Sequence, residues 1–322
     1  MLKPKGSWVA LVTPFTDEGG VDLQGFQRLV DFHVKYGSDG LLVMGSTGES
    51  PLLSLEERQI IARETSAYAK DKIPLFVGCT CASTKETIAL AEHTARHGAD
   101  GILLVVPPYV APPQAQIYEF FRDVALAVAP IPVAIYNNPA RVSVNIDPDT
   151  IVRLAELDNI VADKEAMPNL KQLHSVITRT QGRINVLVCD APGYSLILPV
   201  LAMGGHGTAN VSGNVIPEEM AKMSQPWTSW EDVRRTREFY FKYFPVIEGC
   251  YSAVNPVGVK EAMNYMGLPA GPLRRPLAPM QAGKFSPFRE TLDRLGLVEK
   301  YGQRTQSFSR PHGTPIRSSS PL

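Results

Sequence analysis

The most informative run of this sequence is Asn159-Ile160-Val161-Ala162-Asp163-Lys164-Glu165, where an apolar stretch ends on a lysine between two acids. A short apolar run of this kind is typical of a buried strand in a parallel sheet. A lysine at such a strand end loses its proton readily once water is excluded, and the neutral amine can attack a ketone. A solvated or salt-bridged lysine is the simpler interpretation of this run alone. The other strand ends therefore decide between the two interpretations.

Seven further strand-like runs alternate with longer segments in which apolar residues recur three or four apart. The eight runs together are Trp8–Phe15, Gly40–Gly45, Ile73–Cys79, Gly101–Pro107, Ile131–Asn137, Asn159–Glu165, Asn185–Asp190 and Gly207–Ser212. Eight βα units in series favour a closed barrel over a doubly wound sheet. No glycine-rich dinucleotide fingerprint follows the first run, which weakens the doubly wound alternative further. We predict an α/β protein with a (β/α)8 TIM barrel.

The helical patterns divide into a set between the strands and a set after the last strand. They are Leu23–Tyr36, Ser54–Ala69, Ser83–His97 and Pro113–Val128, then Trp230–Tyr243, Pro256–Met266 and Pro287–Leu295. The sequence therefore predicts a barrel over residues 1–215 and a C-terminal helical extension over residues 216–300 that packs on it. Residues 301–322 are rich in Ser, Pro and Arg and poor in apolar residues, which predicts a disordered tail.

The composition argues against several classes of partner. Among 322 residues, 32 basic side chains balance 32 acidic ones, so no overall field would attract nucleic acid or an anionic membrane. No run approaches the ~18 apolar residues of a membrane span. The N-terminal residues lack the apolar core of a signal peptide. We expect neither nucleic acid nor a membrane as a partner.

The four cysteines, Cys79, Cys81, Cys189 and Cys250, follow neither a zinc pattern nor a redox pattern. Buried reduced thiols are the better interpretation, and they fit a cytoplasmic protein. His93 and His97 are four apart on a helical pattern but have no third ligand nearby, so a solvated helix face is the better interpretation. We expect no metal site and no cofactor.

Chemically useful side chains fall at the predicted strand ends, where the loops of a barrel converge on one mouth. Taken singly, each has a structural explanation as a strand exit, a cap on the core or a surface ion pair. Their convergence on one rim favours a functional site. The candidates are Ser46, Thr47, Tyr109, Tyr136, Arg141 and Lys164, with Thr208 on the last strand as a further substrate-binding residue.

These residue types suit imine chemistry on a 2-oxo acid. Lys164 would form an imine that serves as an electron sink, so that an adjacent carbon can lose or gain a proton. Tyr136 would move the protons, relayed through Thr47 and Tyr109. The Ser46-Thr47 turn offers hydroxyl and N–H groups to the keto-acid carboxylate. The planar fork of Arg141 would then be free for a second carboxylate.

Several motifs resemble the dihydrodipicolinate synthase and N-acetylneuraminate lyase family of Schiff-base class I aldolases. They are Gly45-Ser46-Thr47-Gly48-Glu49-Ser50, Val106-Pro107-Pro108-Tyr109, Tyr136-Asn137-Asn138-Pro139, Asp163-Lys164-Glu165-Ala166, Gly204-Gly205-His206-Gly207 and Asn255-Pro256-Val257-Gly258-Val259-Lys260. The resemblance runs from about Trp8 to Pro279 and implies a homotetrameric barrel enzyme, a dimer of dimers, that binds pyruvate. It implies that Lys164 forms the imine, Tyr136 transfers protons, Thr47 relays them, and Tyr109 reaches across a subunit interface.

Within this family, Arg141 favours the synthase branch, where an arginine after the tyrosine motif holds the carboxylate of an aldehyde. Ser46 stands where synthases usually have a second threonine, and Val188-Cys189-Asp190-Ala191 lacks the usual Gly-Asp-Asp. Met167-Pro168 replaces the small polar pair that usually follows the lysine motif. These departures lie along the acceptor side of the expected site.

Three functions follow from the sequence. The leading one is condensation of pyruvate with a small aldehyde, which we expect to be aspartate semialdehyde in lysine biosynthesis. The second is an aldolase or dehydratase acting on 2-keto-3-deoxy sugar acids or hydroxy-2-oxo acids. The third, a catalytically silent barrel that only binds ligands, is disfavoured because Lys164, Tyr136 and Thr47 are all present.

Overall fold

Eight parallel strands close into one barrel in the computed structural model, which describes residues 1–302. The strands are β1 (Gly6–Ala10), β2 (Gly40–Val43), β3 (Leu75–Gly78), β4 (Gly101–Val105), β5 (Val133–Asn137), β6 (Ile160–Glu165), β7 (Asn185–Val188) and β8 (Gly207–Asn210). Each strand pairs with the next, and β8 pairs with β1. Because all strands run in one direction, their carboxyl ends meet at one rim. The predicted TIM barrel is confirmed.

Helices surround the barrel and continue beyond it. The first eight are α1 (Leu23–Lys35), α2 (Leu55–Ala69), α3 (Thr84–Arg96), α4 (Gln114–Val128), α5 (Pro139–Val142), α6 (Pro148–Leu154), α7 (Leu170–Thr180) and α8 (Ile197–Ala202). After the last strand come α9 (Pro217–Met223), α10 (Trp230–Cys250), α11 (Val257–Met266), α12 (Ala282–Arg294) and α13 (Leu297–Tyr301). Short 3₁₀ turns cover Ser50–Leu52 and Ser212–Asn214.

Two aromatic rings fill part of the barrel interior. Trp8 on β1 and Phe76 on β3 meet edge to face, with ring centroids 5.0 Å apart. Gly40, the register partner of Trp8, leaves room for the indole, since a Cβ at this position would lie 2.6 Å from it. The interior is therefore packed rather than hollow, and only its mouth is open to a ligand.

The second apolar core lies between the strands and the helices. Side chains that point outward from the strands, such as Leu41, Ile102 and Ile135, pack there against helix residues such as Phe121 and Ile61. Because successive residues of a strand face opposite sides, β1 to β7 contribute apolar side chains to both cores, whereas β8 contributes only Ala209, to the inner one. This alternation determines which side chains can reach the mouth.

The element boundaries differ from prediction in two informative places. β1 begins two residues earlier than predicted and ends at Ala10, after which Phe15 pairs with Val21 in an isolated antiparallel bridge. The helix predicted to end at Tyr243 continues to Cys250 through Pro245. Val246 lies in the added part of the helix and is fully buried. The packing of such residues in the core outweighs the local free-energy cost of a proline inside the helix.

The C-terminal helices pack closely on the barrel. α9 follows β8 and contacts β1, so it completes the ring of helices. α10 packs on α9, α11 and α12. The predicted division at residues 215 and 300 stays a prediction, and the predicted tail lies, apart from Tyr301 and Gly302, outside the described residues. Within residues 1–302 no helix has the length and apolar character needed to cross a membrane.

Candidate active site

A cavity of about 350 Å³ opens at the carboxyl ends of the strands. Its lining combines strand ends, the loops that follow them, and the segment between α10 and α11. The polar lining residues are Ser46, Thr47, Tyr136, Asn138, Arg141, Lys164, Cys189, Tyr194, Tyr251 and Asn255. Five of the seven predicted site residues therefore share one cavity.

Lys164 lies at the end of β6 with only 5% of its surface exposed. Its register partner on β5 is Tyr136, and Lys164 Nζ is 4.2 Å from the centre of the tyrosine ring. Burial lowers the pKa of the Lys164 ammonium, and nearby Cys189 and Asp190 oppose that shift. No hydrogen bond or ion pair of Nζ occurs among residues 1–302, so the amine is available to a ligand that enters the cavity.

Tyr136 is buried beside this amine. Its hydroxyl accepts a hydrogen bond from Asn138 Nδ2 at 2.6 Å. Burial raises the pKa of the phenol, against the opposing effects of Asn138, Ser46 and Arg141. The phenol therefore keeps its proton at neutral pH and can donate it to an oxygen that develops negative charge in the cavity.

The Ser46-Thr47 turn follows β2 and is fixed by its own backbone. Gly48 N donates to Gly45 O at 3.1 Å, and Thr13 Oγ1 donates to Gly48 O at 2.6 Å. Thr47 Oγ1 accepts a hydrogen bond from Asn255 Nδ2 at 3.0 Å. The turn thus presents a buried hydroxyl in a fixed position at the cavity wall.

Arg141 lies on the short helix α5, directly after the tyrosine motif. Its Nη2 donates to the backbone carbonyl of Asn255 at 3.1 Å. Arg141 lines the cavity and is exposed, so its remaining N–H groups can donate to a carboxylate that binds there.

The structure places Tyr109 and Thr208 away from the cavity of this chain. Tyr109 is 98% exposed. Thr208 is buried between β8 and the helices, where its hydroxyl pairs with Ser224 Oγ at 2.6 Å and accepts from Asn210 Nδ2 at 2.9 Å. Thr208 is therefore not a cavity residue, because Ala209, the next residue on the strand, faces the interior instead.

Sequence reasoning missed several residues that the fold brings to the site. Cys189 lines the cavity, and burial raises the pKa of its thiol to about 11, so the thiol is neutral. Asp190 accepts the N–H groups of Val211 and Ser212, both at 2.9 Å, and the hydroxyl of Tyr251 at 2.6 Å. Asp190 thereby joins the ends of β7 and β8 to α10. Within residues 1–302 no group of three or more His, Cys, Asp or Glu side chains is arranged to hold a metal.

Two acids flank Lys164 and face away from the cavity, behind β6. Glu165 accepts hydrogen bonds from Asn137 Nδ2, Gln172 Nε2 and Met167 N. Asp163 is fully buried, and neither carboxyl oxygen has a hydrogen-bond partner in the described part of the chain. Burial, and secondarily the charge of Glu165, raises the pKa of Asp163 well above its ordinary value. Burial without a partner therefore favours the protonated, neutral form of Asp163 in the folded protein.

We expect Asp163→Val to stabilise the fold at neutral pH, because an unpartnered buried polar group costs about 1–3 kcal/mol. The unfolded chain ionises Asp163 above pH ~4, whereas the folded chain keeps the proton. The folded state binds more protons there, so the free energy of unfolding falls as pH rises from ~4 towards the raised pKa. Asp163→Asn removes this titration, and its advantage over the wild type should grow across the same pH window.

Urea unfolding at a series of pH values measures both effects. Asp232→Asn is a control of opposite sign, since hydrogen bonds from Thr228 and Ser229 and the ion pair with Arg235 lower the pKa of the Asp232 carboxyl. It should destabilise at neutral pH and lose its effect in acid. A pH-independent difference between wild type and Asp163→Asn would show that Asp163 is ionised in the fold.

Comparison with known proteins agrees with this geometry. The dihydrodipicolinate synthetase family model matches residues 3–295. The 4-hydroxy-tetrahydrodipicolinate synthase of Moorella thermoacetica is 40% identical over 268 residues, which cover 83% of this chain and 90% of the relative.

Solved structures agree as well. The dihydrodipicolinate synthase from Aquifex aeolicus has a TM-score of 0.86 and 37% identity, over 92% of this chain and 99% of that one. The chloride-inhibited dihydrodipicolinate synthase from Acinetobacter baumannii, complexed with pyruvate, has a TM-score of 0.85 and 32% identity, over 91% of this chain and 99% of its own. A family match across nearly all described residues, with a relative 40% identical over most of both chains, leads to one conclusion: this chain belongs to the dihydrodipicolinate synthetase family.

Proposed function

We propose that this chain is a 4-hydroxy-tetrahydrodipicolinate synthase, a lyase that condenses pyruvate with aspartate semialdehyde in lysine biosynthesis. The observation that carries the proposal is the position of a buried Lys164 amine, with no hydrogen bond or ion pair in the described part of the chain, beside the Tyr136 phenol in one cavity. Relatives named for this activity and a related structure holding pyruvate support it.

The first half of the reaction builds the imine. Lys164 Nζ attacks the ketone carbon of pyruvate, and the ketone oxygen takes the Tyr136 proton as it becomes a hydroxyl. The attacking nitrogen gives up a proton, which returns to Tyr136; the hydroxyl of the carbinolamine then takes this proton from Tyr136 and leaves as water while the C–N double bond forms. The Ser46-Thr47 turn holds the pyruvate carboxylate during these steps.

The second half joins the two substrates. The iminium withdraws electrons, so the pyruvate methyl loses a proton to Tyr136, which gave up its own to the leaving water, and becomes the nucleophilic carbon of an enamine. That carbon attacks the aldehyde, whose oxygen takes up a proton. The amine of the semialdehyde then displaces Lys164 from the imine carbon as the ring closes, and the lysine is regenerated. The cavity of about 350 Å³ has room for both small substrates.

The proposal extends to the assembly and the compartment. We propose a homotetramer, a dimer of dimers, in which exposed Tyr109 and its exposed neighbour Val110 lie against another subunit. Tyr109 would then supply its hydroxyl to the partner's proton relay. The free thiols of Cys79, Cys81, Cys189 and Cys250 support a reducing cytoplasm as the place of action.

A substrate panel tests the reaction. Pyruvate should be consumed on addition of aspartate semialdehyde, and not released from 2-keto-3-deoxy sugar acids or hydroxy-2-oxo acids. Release of pyruvate or water from the sugar acids, without consumption in the presence of the semialdehyde, would favour the aldolase or dehydratase alternative. Borohydride trapping of pyruvate needs no second substrate. It should succeed for the synthase and for the aldolase or dehydratase, and fail for a catalytically silent barrel.

Arg141→Ala should raise the KM of the aldehyde by about 10- to 100-fold, since a charge-assisted hydrogen bond is worth about 1.5–3 kcal/mol. The KM of pyruvate should change little, because the Ser46-Thr47 turn holds its carboxylate. Arg141→Lys keeps the charge and loses the bidentate fork, so its KM for the aldehyde should lie between those of the wild type and Arg141→Ala. Steady-state kinetics with each substrate varied in turn measures the split. An equal loss for both substrates would contradict the assignment of Arg141 to the aldehyde.

A further inference from the structure

One residue outside the barrel contacts both carboxylate-binding groups of the cavity. Asn255 lies in the segment between α10 and α11 and lines the mouth. Its side-chain Nδ2 donates to Thr47 Oγ1 at 3.0 Å, and its backbone carbonyl accepts from Arg141 Nη2 at 3.1 Å. The two contacts use different parts of Asn255, so a side-chain substitution can remove the first and keep the second.

The contact with Thr47 has a direction. A hydroxyl carries one proton and two lone pairs, and an amide N–H can only donate. When Thr47 Oγ1 accepts from Asn255, its own proton is left to point elsewhere. Thr47 is 1% exposed and borders the cavity, so bulk water does not compete for that proton. Thr47 Oγ1 makes no second hydrogen bond among residues 1–302, so a ligand in the cavity is the acceptor that this proton can reach.

The segment that carries Asn255 is anchored on both sides. Tyr251 at its start bonds to Asp190 at 2.6 Å. Lys260 on α11 is 1% exposed and donates to Glu49 Oε1 at 2.9 Å, Thr13 O at 3.1 Å and Pro272 O at 2.7 Å. Glu49 belongs to the same turn as Thr47, so the C-terminal helices fix the position of Asn255 relative to this turn.

We infer that Asn255 is a positioning residue that orients the Thr47 hydroxyl so that its proton is donated to the carboxylate of the keto acid. Asn255 makes the C-terminal extension part of the pyruvate site, although the extension supplies none of the reacting atoms. This inference rests on the proposed function, because it assumes that a keto acid occupies the cavity. It adds a residue that acts through Thr47 rather than on the substrate.

A double-mutant cycle between Asn255→Ala and Thr47→Val tests the inference. The readout is the pyruvate concentration that gives half-maximal borohydride trapping at Lys164, which needs no second substrate. Asn255→Ala should raise this concentration about 3- to 10-fold when Thr47 is present, the range of one lost hydrogen bond. On the Thr47→Val background the same change should matter less than about twofold. Equal effects on both backgrounds would overturn the inference.

The direction of the bond has its own test. Asn255→Asp keeps the shape of the side chain but turns the donor into an acceptor, which would draw the Thr47 proton away from the cavity. It should weaken the binding of pyruvate more than Asn255→Ala does, and this additional loss should be smaller on the Thr47→Val background. If the additional loss persists without the Thr47 hydroxyl, the introduced aspartate acts on pyruvate by its charge alone. That result would overturn the assigned direction of the hydrogen bond between Asn255 and Thr47.

Two controls separate the possible failures. Asn264 lies in the same extension, and its side-chain Nδ2 and Oδ1 bond to the backbone of Gly271 rather than to Thr47. Asn264→Ala removes this side chain. It should leave the pyruvate dependence unchanged, so a shift there would point to a general effect of loosening the extension and overturn the specific role of Asn255. If the wild type traps no pyruvate, the proposed function fails; if it traps normally and Asn255→Ala matches it, only the positioning role fails.

Discussion

Lys164→Met should reduce turnover by at least about 10⁴-fold, the scale of loss seen when a covalent nucleophile is removed. Methionine matches the length and burial of the lysine, so the barrel should keep its fold. The reason for the loss is that no other amine lines the cavity among the described residues, and without an amine no imine forms. Consumption of pyruvate in the presence of aspartate semialdehyde measures the effect, and circular dichroism checks the fold.

Covalent trapping locates the reacting amine directly. Pyruvate and borohydride should modify Lys164 irreversibly, since reduction converts the imine to a secondary amine. Lys260 is an internal control within the same molecule: it is as deeply buried, but its Nζ donates to three oxygens and pairs with Glu49. Mass spectrometry should therefore find the adduct on Lys164 and none on Lys260. An adduct elsewhere, or none with active protein, would contradict the assignment.

Much of the fold could be predicted because each strand carries its own signal. Apolar runs of four to eight residues separated by helical patterns identify the strands one at a time, and closure of the barrel follows from their number. Convergence of Ser46, Thr47, Tyr136, Arg141 and Lys164 was predictable for the same reason. Each lies at the carboxyl end of a strand or just after it, and parallel strands bring those ends to one rim.

Thr208 shows the limit of this reasoning. β8 alternates polar Thr208 and Asn210 with apolar Ala209, but all of them are buried, and on a strand buried on both faces this alternation does not tell which set faces the interior. On β8 the small Ala209 faces the cavity and Thr208 faces the helices. The three-dimensional register of the barrel determines this choice, and no local pattern in residues 207–210 reports it.

Asn255 and Asp163 show a second limit, which concerns partners distant in sequence. Asn255 meets Thr47 across 208 residues of chain, a contact that depends on how the C-terminal helices pack. Asp163 is read from sequence as one of two charges flanking Lys164. Only the fold shows that it lies behind the sheet with no hydrogen-bond partner among residues 1–302, whereas Glu165 two residues later accepts hydrogen bonds from three residues. Hydrogen-bond satisfaction is thus a property of the packed structure.

Tyr136→Phe should lower kcat by roughly 10²–10⁴-fold, the usual contribution of a positioned general acid or base. The ring stays in place above Lys164 Nζ, where it lies 4.2 Å away, so the change deletes only the hydroxyl. Without it the carbinolamine oxygen has no buried phenol to take a proton from, and water must be lost unaided. Single-turnover trapping should therefore show slow formation of the imine, while the pyruvate concentration for half-maximal trapping changes less.

The stability of Tyr136→Phe tests whether the Tyr136 hydroxyl is hydrogen-bonded as the structure shows. Asn138 Nδ2 donates to Tyr136 Oη at 2.6 Å, so deleting the acceptor leaves a buried donor unpaired. That should cost about 1–3 kcal/mol of unfolding free energy. Tyr243→Phe, on α10 and far in the chain from the motif, removes the hydroxyl of another buried tyrosine and should leave kcat unchanged. A Tyr136→Phe enzyme that loses stability but turns over like the wild type would make Tyr136 a packing residue and assign the proton transfer to another group.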